Sequence, residues 1–192
     1  KERIVAPGMQ FRLSDSWLDD FEGSSREGGD AERELAKRVL SKLNEDKSTG
    51  KRLSRVMSTE ELMPFQLKGN TDVVKPMNIV LMVNEMCASM CDIFAGMLQD
   101  NKMATVIGVQ TMGAGGNVVN HTESPNSHIQ VRQTESLIVR NDGSYIENNG
   151  IKPDVEIVVN TTVGEKYDPI RMKAIEILTT EKATPAVVAD KE

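Results

Sequence analysis

Between residues 78 and 109 the hydrophobic period changes twice, and this limits the fold more than any other stretch. Asn78-Ile79-Val80-Leu81-Met82-Val83 is a short apolar run, bounded by Pro76 before it and Asn84-Glu85 after it. Continuous apolar character over so few residues predicts a buried strand. Over residues 89–99 the apolar positions move to helical spacing, with Ile93/Met97 and Phe94/Leu98 as i, i+4 pairs. Asp100-Asn101 ends that run, and residues 104–109 predict a second buried strand. Strand, helix and strand in direct succession predict a parallel β-α-β crossover, and with it an α/β fold.

The flanking sequence is less regular. Residues 1–74 are polar and punctuated. The stretch 22–29 is rich in Gly, Ser and acid and predicts a surface loop. Asp30 caps a predicted helix over 31–44, with Leu35, Val39, Leu40 and Leu43 at helical spacing. Ser58-Thr59-Glu60-Glu61 offers another helix start. Beyond the second strand lies a Gly-rich turn, Thr111-Met112-Gly113-Ala114-Gly115-Gly116-Asn117. Residues 128–132 and 137–140 predict strands, and Asn141-Asp142-Gly143-Ser144 gives a hairpin signal. Residues 155–159 predict a last strand. Asp168 and Pro169 open a terminal helix to about residue 181, and 183–192 predict a frayed tail.

Charge and composition remove several function classes. Lys and Arg number 23 against 29 Asp and Glu, a net charge of −6. No basic run or basic–aromatic interleaving is present, which argues against a nucleic-acid groove. No apolar stretch approaches the roughly 20 residues of a membrane span. Cys87 and Cys91 are too few for a structural zinc site. Placed on one helical turn, they are expected to be buried free thiols rather than a disulfide. The chain starts Lys1-Glu2-Arg3, which fits either a removed leader or a break within a longer protein.

The candidate chemistry lies where the first strand turns into the helix: Val83-Asn84-Glu85-Met86-Cys87-Ala88-Ser89-Met90-Cys91-Asp92. Small residues make a short turn, and the helix is expected to start at or near Ser89. A Ser there meets unpaired backbone N–H groups and the positive end of the helix dipole. The N–H of Met90 can stabilise an oxyanion formed when the Ser89 hydroxyl attacks a carbonyl. Taken by itself, though, the segment is better explained by Ser89 as an ordinary helix N-cap.

Three later segments change that balance. They are Gln99-Asp100-Asn101-Lys102-Met103-Ala104-Thr105-Val106-Ile107-Gly108, the loop from Thr111 to Gly115, and Ser144-Tyr145-Ile146-Glu147-Asn148-Asn149-Gly150-Ile151-Lys152-Pro153-Asp154-Val155. Their order and spacing after a Ser-containing elbow resemble the C-terminal processing (tail-specific) serine peptidases over about residues 76–160. The commoner form of that family carries a general-base Lys in the Gly-rich loop, where this sequence has Ala114. The Gly113-Ala114-Gly115-Gly116 loop and Ile146-Glu147-Asn148 are instead similar to the branch typified by the chlamydial protease-like activity factor, which uses Ser, His and Glu.

The resemblance implies a ClpP/crotonase-like α/β core, present as its C-terminal portion. It divides the chain into a partly helical insertion (1–74), part of the catalytic core (75–182) and a flexible tail (183–192). It implies Ser89 as nucleophile, Glu147 as the acid that orients a His, and the Met90 N–H as an oxyanion donor. Gly113, Ala114, Gly115 and Gly116 would shape the substrate cleft. Neither His121 nor His128 matches a catalytic position, so the His and a second oxyanion donor would come from an N-terminal portion of the same protein. The expected substrate is a polypeptide, with no cofactor or metal. A second copy is a further partner for unpaired sheet edges. The family places the protein outside the cytoplasm, in the periplasm or secreted. Ala114 keeps open an inactive binding or scaffold domain on the same fold, and the related crotonase fold keeps open an acyl-CoA enzyme.

Overall fold

The computed structural model describes residues 4–63, 78–121, 123–158 and 168–180. Along them run β1 (Gly8–Phe11), α1 (Asp15–Glu27), α2 (Asp30–Ser48), β2 (Val80–Val83), α3 (Met90–Asp100), β3 (Thr105–Gly108), β4 (Gly116–Asn120), β5 (Arg132–Val139), β6 (Val155–Glu156) and α4 (Pro169–Thr180). The chain divides into two units. Unit 1 takes residues 1–5, 68–114 and 148–192, and unit 2 takes 6–67 and 115–147.

Unit 1 contains the β-α-β crossover read from the sequence. β2, β3 and β6 form a parallel sheet in that order, with Val80 opposite Thr105 and Ile107 opposite Val155. The strands are short because their apolar runs are short. Val106 and Ile107 are wholly buried, as expected of a central parallel strand covered on both faces. α3 packs against β3, and α4 against β2 and β3. The Asp154 side chain accepts the Val106 N–H at 2.8 Å, while the Asp154 N–H donates to the Val106 carbonyl at 2.7 Å. The Pro-Asp pair thereby pins the entry of β6 to β3.

Unit 2 is built differently. β5 is the middle strand of an antiparallel sheet, between β1 and β4. The α1–α2 hairpin buries Val39 and Leu43 against Phe11 and Met57, with Trp17, Leu18, Phe21 and Leu35 around them. Phe11 meets Trp17 and Phe21 edge-on, with ring centroids 5.2 and 5.7 Å apart. Asp46 at the end of α2 is buried, yet it accepts the Arg55 backbone N–H at 2.7 Å and its guanidinium Nε at 3.0 Å. These Arg55 donors, side chain first, hold the Asp46 carboxyl down to about 2.

Several expectations change here. Residues 22–27 are not loop but the second half of α1. Gly23, Ser24 and Ser25 are poor helix formers, but the packing of Trp17, Leu18 and Phe21 carries the helix through them. Residues 58–62 form a turn rather than a helix start, although Ser58 and Glu61 make the reciprocal cap contacts, with the Ser58 N–H donating to Glu61 at 2.7 Å. The predicted strands 128–132 and 137–140 are one strand, β5, starting at Arg132. The end of the Gly-rich turn is itself strand β4. α3, by contrast, starts at Met90, in keeping with a helix expected to begin at or near Ser89. The strand read at 155–159 is regular only over Val155–Glu156. Position 159, the end of the terminal helix near 181 and the frayed tail lie outside the described residues.

Candidate active site

Ser89 does not sit as an ordinary N-cap. An N-cap residue has extended backbone, and its side chain accepts an N–H of the first turn. Ser89 has φ 59 and ψ −121, and its hydroxyl makes no cap hydrogen bond. A positive φ costs a non-glycine residue on the order of 1–3 kcal/mol and persists only where the surroundings enforce it. The shape matches a strand-to-helix elbow that lifts a serine hydroxyl clear of the backbone. The side chain is exposed.

What enforces the elbow is visible residue by residue. The Ser89 N–H donates to the Ala114 carbonyl at 3.1 Å, and the Ser89 carbonyl accepts the Ile93 N–H at 3.1 Å. Upstream, the Cys87 carbonyl accepts the Met112 N–H at 2.9 Å. The two cysteines are bonded to each other across the elbow, with Cα atoms 5.2 Å apart. The expectation of free thiols is therefore corrected. It assumed one helical turn, but Cys87 lies in the turn before α3 and only Cys91 lies within it. Met90 is the first residue of α3, so its N–H has no acceptor inside the helix.

The Gly-rich loop is anchored by a residue the sequence reading passed over. Asp92, in the first turn of α3, is wholly buried. Its Oδ1 accepts the Thr111 hydroxyl and the Gly113 N–H, the latter at 3.1 Å, and its Oδ2 accepts the Ala114 N–H at 3.1 Å. Thr111 Oγ1 in turn accepts the Ile151 N–H at 2.6 Å. One carboxyl group thus fixes residues 111–114, and Ala114 passes that order to the Ser89 backbone. An acid three residues after the Ser, together with a Thr opening the loop, was the available signal. Gly113 has φ +75, and a Cβ there would come within 2.6 Å of the Gly150 nitrogen. No side chain fits that close backbone crossing.

Gly115, Gly116 and Glu147 belong to unit 2. Glu147 is half-buried in the turn after Ile146, and its Oε1 accepts the Thr134 hydroxyl at 2.8 Å. A Cβ on Gly116 would lie 3.0 Å from Glu147 Oε2 and 2.5 Å from the Ser136 carbonyl, so glycine leaves room for the carboxylate beside β4. Both histidines of the chain lie in unit 2 beside carboxylates. His128 Nδ1 is 2.6 Å from Glu123 Oε1. His121 Nε2 is 3.6 Å from Oε1 of the buried Glu135, which also accepts the Ser16 hydroxyl at 2.9 Å. Within unit 1 the structure brings together Ser89, Met90, Gly113 and Ala114; within unit 2 it brings together Gly116 and Glu147.

Residues 10–157 match the model of peptidase family S41. The chain belongs to this family, the C-terminal processing peptidases. Among its relatives, a probable CtpA-like serine protease of Staphylococcus aureus is 41% identical over 83 residues, which is 43% of this chain and 16% of the relative. An uncharacterised protein of Chlamydia muridarum is 41% identical over 80 residues, 41% of this chain and 13% of the relative. The fold is similar to that of mature CPAF complexed with lactacystin, with TM-score 0.67 and 22% identity over 92% of this chain and 38% of that one. A putative peptidase from Parabacteroides merdae is similar over 66% of this chain and 38% of that chain, at TM-score 0.54 and 20% identity. The chain thus spans well under half the length of the proteins it matches. Among the described residues no helix is long and apolar enough to cross a membrane.

Proposed function

We propose that this S41 chain supplies the nucleophile and the orienting acid of a serine endopeptidase of Ser-His-Glu type. The observation that carries the reading is the backbone of Ser89, strained, exposed and uncapped at the start of α3. Strain of this kind is kept where it serves a site. In the proposed mechanism a neutral His takes the Ser89 proton as the hydroxyl attacks the scissile carbonyl. The Met90 N–H stabilises the oxyanion. Glu147 holds the imidazole in the productive tautomer and stabilises the imidazolium, which then protonates the leaving amine. Neither His121 nor His128 matches a catalytic position of the family, so the reading assigns the base, with a second oxyanion donor, to the N-terminal portion of the peptidase.

The parallel β2-β3-β6 sheet with its α3 crossover supports assigning the core to the ClpP/crotonase type. Its edge strands β2 and β6 are where that N-terminal portion, or a second copy, would add. The polypeptide substrate follows from the family. The Cys87–Cys91 bond supports a location outside the cytoplasm, since disulfides persist in oxidising compartments.

A fluorophosphonate probe on the full-length peptidase tests the reading. Labelling at Ser89 that disappears in Ser89→Ala is expected; labelling that survives the substitution overturns it. The second reading, a binding domain that kept the fold without the activity, is favoured by Ala114. That side chain has no group able to accept a proton, and its backbone is fully used by Asp92 and Ser89. Absence of any labelling, with peptide binding retained, would select it.

A further inference from the structure

We propose that the Cys87–Cys91 bond is a positioning element for the Ser89 nucleophile, and that a thiol-class reductant opening it converts the site to a slow state. The inference rests on the reading of Ser89 as nucleophile. The bond closes a small ring whose middle residue is Ser89. That residue holds φ 59 without being glycine. Its turn side is tied to the loop through the Met112 N–H on the Cys87 carbonyl, and its helix side begins α3. The sulfur bridge joins these two sides directly. Once it opens, only hydrogen bonds, those of the Ser89 backbone and of the loop that Asp92 anchors, oppose the return of Ser89 to negative φ, which would swing the hydroxyl and the Met90 N–H off their mutual geometry. The two are useful only together, because attack and oxyanion stabilisation act on one carbonyl.

Access to the bond is one-sided. Cys87 is buried and Cys91 is exposed, so an external thiolate attacks the Cys91 sulfur and expels the Cys87 thiolate. A second reductant thiol then resolves the mixed disulfide. The Sγ–Sγ bond is replaced by two cysteine thiols, and two reductant thiols become one reductant disulfide. The two electrons and two protons come from the reductant, and reoxidation reverses the step.

The test uses full-length peptidase with and without dithiothreitol, with alkylation mapped by mass to Cys87 and Cys91. Fluorophosphonate labelling of Ser89 is expected to slow roughly 10- to 100-fold on reduction, the scale set by a small misplacement of a reacting group. It should recover on reoxidation. The Cys87→Ser/Cys91→Ser variant should be slow in both conditions and indifferent to dithiothreitol. Amide exchange over residues 84–94 should rise on reduction while the rest of the protein is unchanged. An unaltered labelling rate with both thiols alkylated overturns the proposal, and so does unaltered exchange in that segment. If oxidised protein shows no Ser89-dependent labelling, the nucleophile assignment falls instead, and the exchange measurement still decides whether the bond holds the elbow.

Discussion

In unit 1 four positive-φ residues belong to the Ser89 turn and the loops at 113 and 148–150: Ser89 at φ 59, Gly113 at φ +75 facing Gly150 at φ +65, and Asn148 at φ 61, while Lys102 and Gly108 lie elsewhere in the unit. The side chains that hold this backbone, Asp92 and Thr111, are buried and bond to each other and to main-chain groups. Unit 2 keeps its positive-φ residues, Gly50, His128 and Gly143, in exposed turns and loops. Its α1–α2 hairpin is regular, its Phe11–Trp17–Phe21 cluster is apolar, and Asp46 and Glu61 hold partners that tie helix to loop. The contrast separates two uses of a buried carboxyl group. Asp92 spends one on the shape of a site, and Asp46 spends one on stability. Damage to unit 1 should therefore appear in rate, and damage to unit 2 in unfolding.

Glu147 breaks that separation most sharply, since it belongs to unit 2 yet is proposed to orient the base. Glu147→Gln should lower turnover by about 10⁴-fold, the cost of a mis-set imidazole tautomer, with little change in the melting curve. Steady-state kinetics beside calorimetry would check this, and a large loss of stability with intact turnover would reverse the assignment. Next is Asp92→Asn, which puts an amide donor against the N–H of Ala114. Labelling of Ser89 should slow by about 100-fold, while unit 2 keeps its stability.

On the other side of the comparison, Asp46→Ala leaves the Arg55 N–H without its acceptor and the guanidinium with Glu45 alone. It should cost about 2 kcal/mol in chemical denaturation without changing the Ser89 labelling rate of folded protein. The same group sets an acid limit. Its pKa is lowered from 3.8 to about 2. That of Glu61 is lowered from 4.5 to about 2, first by the Lys42 hydrogen bond and then by the Ser58 N–H. Both contributions are present above the unfolded values and are lost as pH falls from there through about 2. Unfolding monitored at Trp17 between pH 5 and pH 2 should show the decline, and the Asp46→Ala variant should show less of it. The smallest effect expected is at the elbow itself. Ser89→Gly should be more stable than Ser89→Ala by about 1 kcal/mol, because glycine accepts positive φ without strain. Equal stabilities would mean that the elbow is not strained.

The legible parts of the fold were those whose signal is local. β2, α3 and β3 follow from two changes of hydrophobic period within some thirty residues, and the Asp168-Pro169 helix start from its own cap. Residues 22–27 of α1 and strand β4 were missed for one reason. Their own residues, Gly23-Ser24-Ser25 and Gly116-Asn117, disfavour the state they adopt; the first continue a helix that Trp17 and Phe21 dock on the core, and the second pair with β5. The position of Ser89 at a strand-to-helix turn was legible. Its positive φ was not, because the residue carrying it is not glycine.

The sequence by itself determined the order of elements in the crossover and the run of motifs that marks an S41 chain, since apolar spacing and motif spacing are properties of neighbouring residues. Only the tertiary structure decided that Asp92 anchors the loop, that Cys87 and Cys91 are bonded across the turn at Ser89, and that Glu147 accepts a hydrogen bond from the Thr134 hydroxyl. Each depends on where the backbone turns: Asp92 reaches groups some twenty residues away, and the cysteines meet because α3 begins between them. A turn angle is fixed by the contacts that enforce it, and those contacts exist only once the chain has folded.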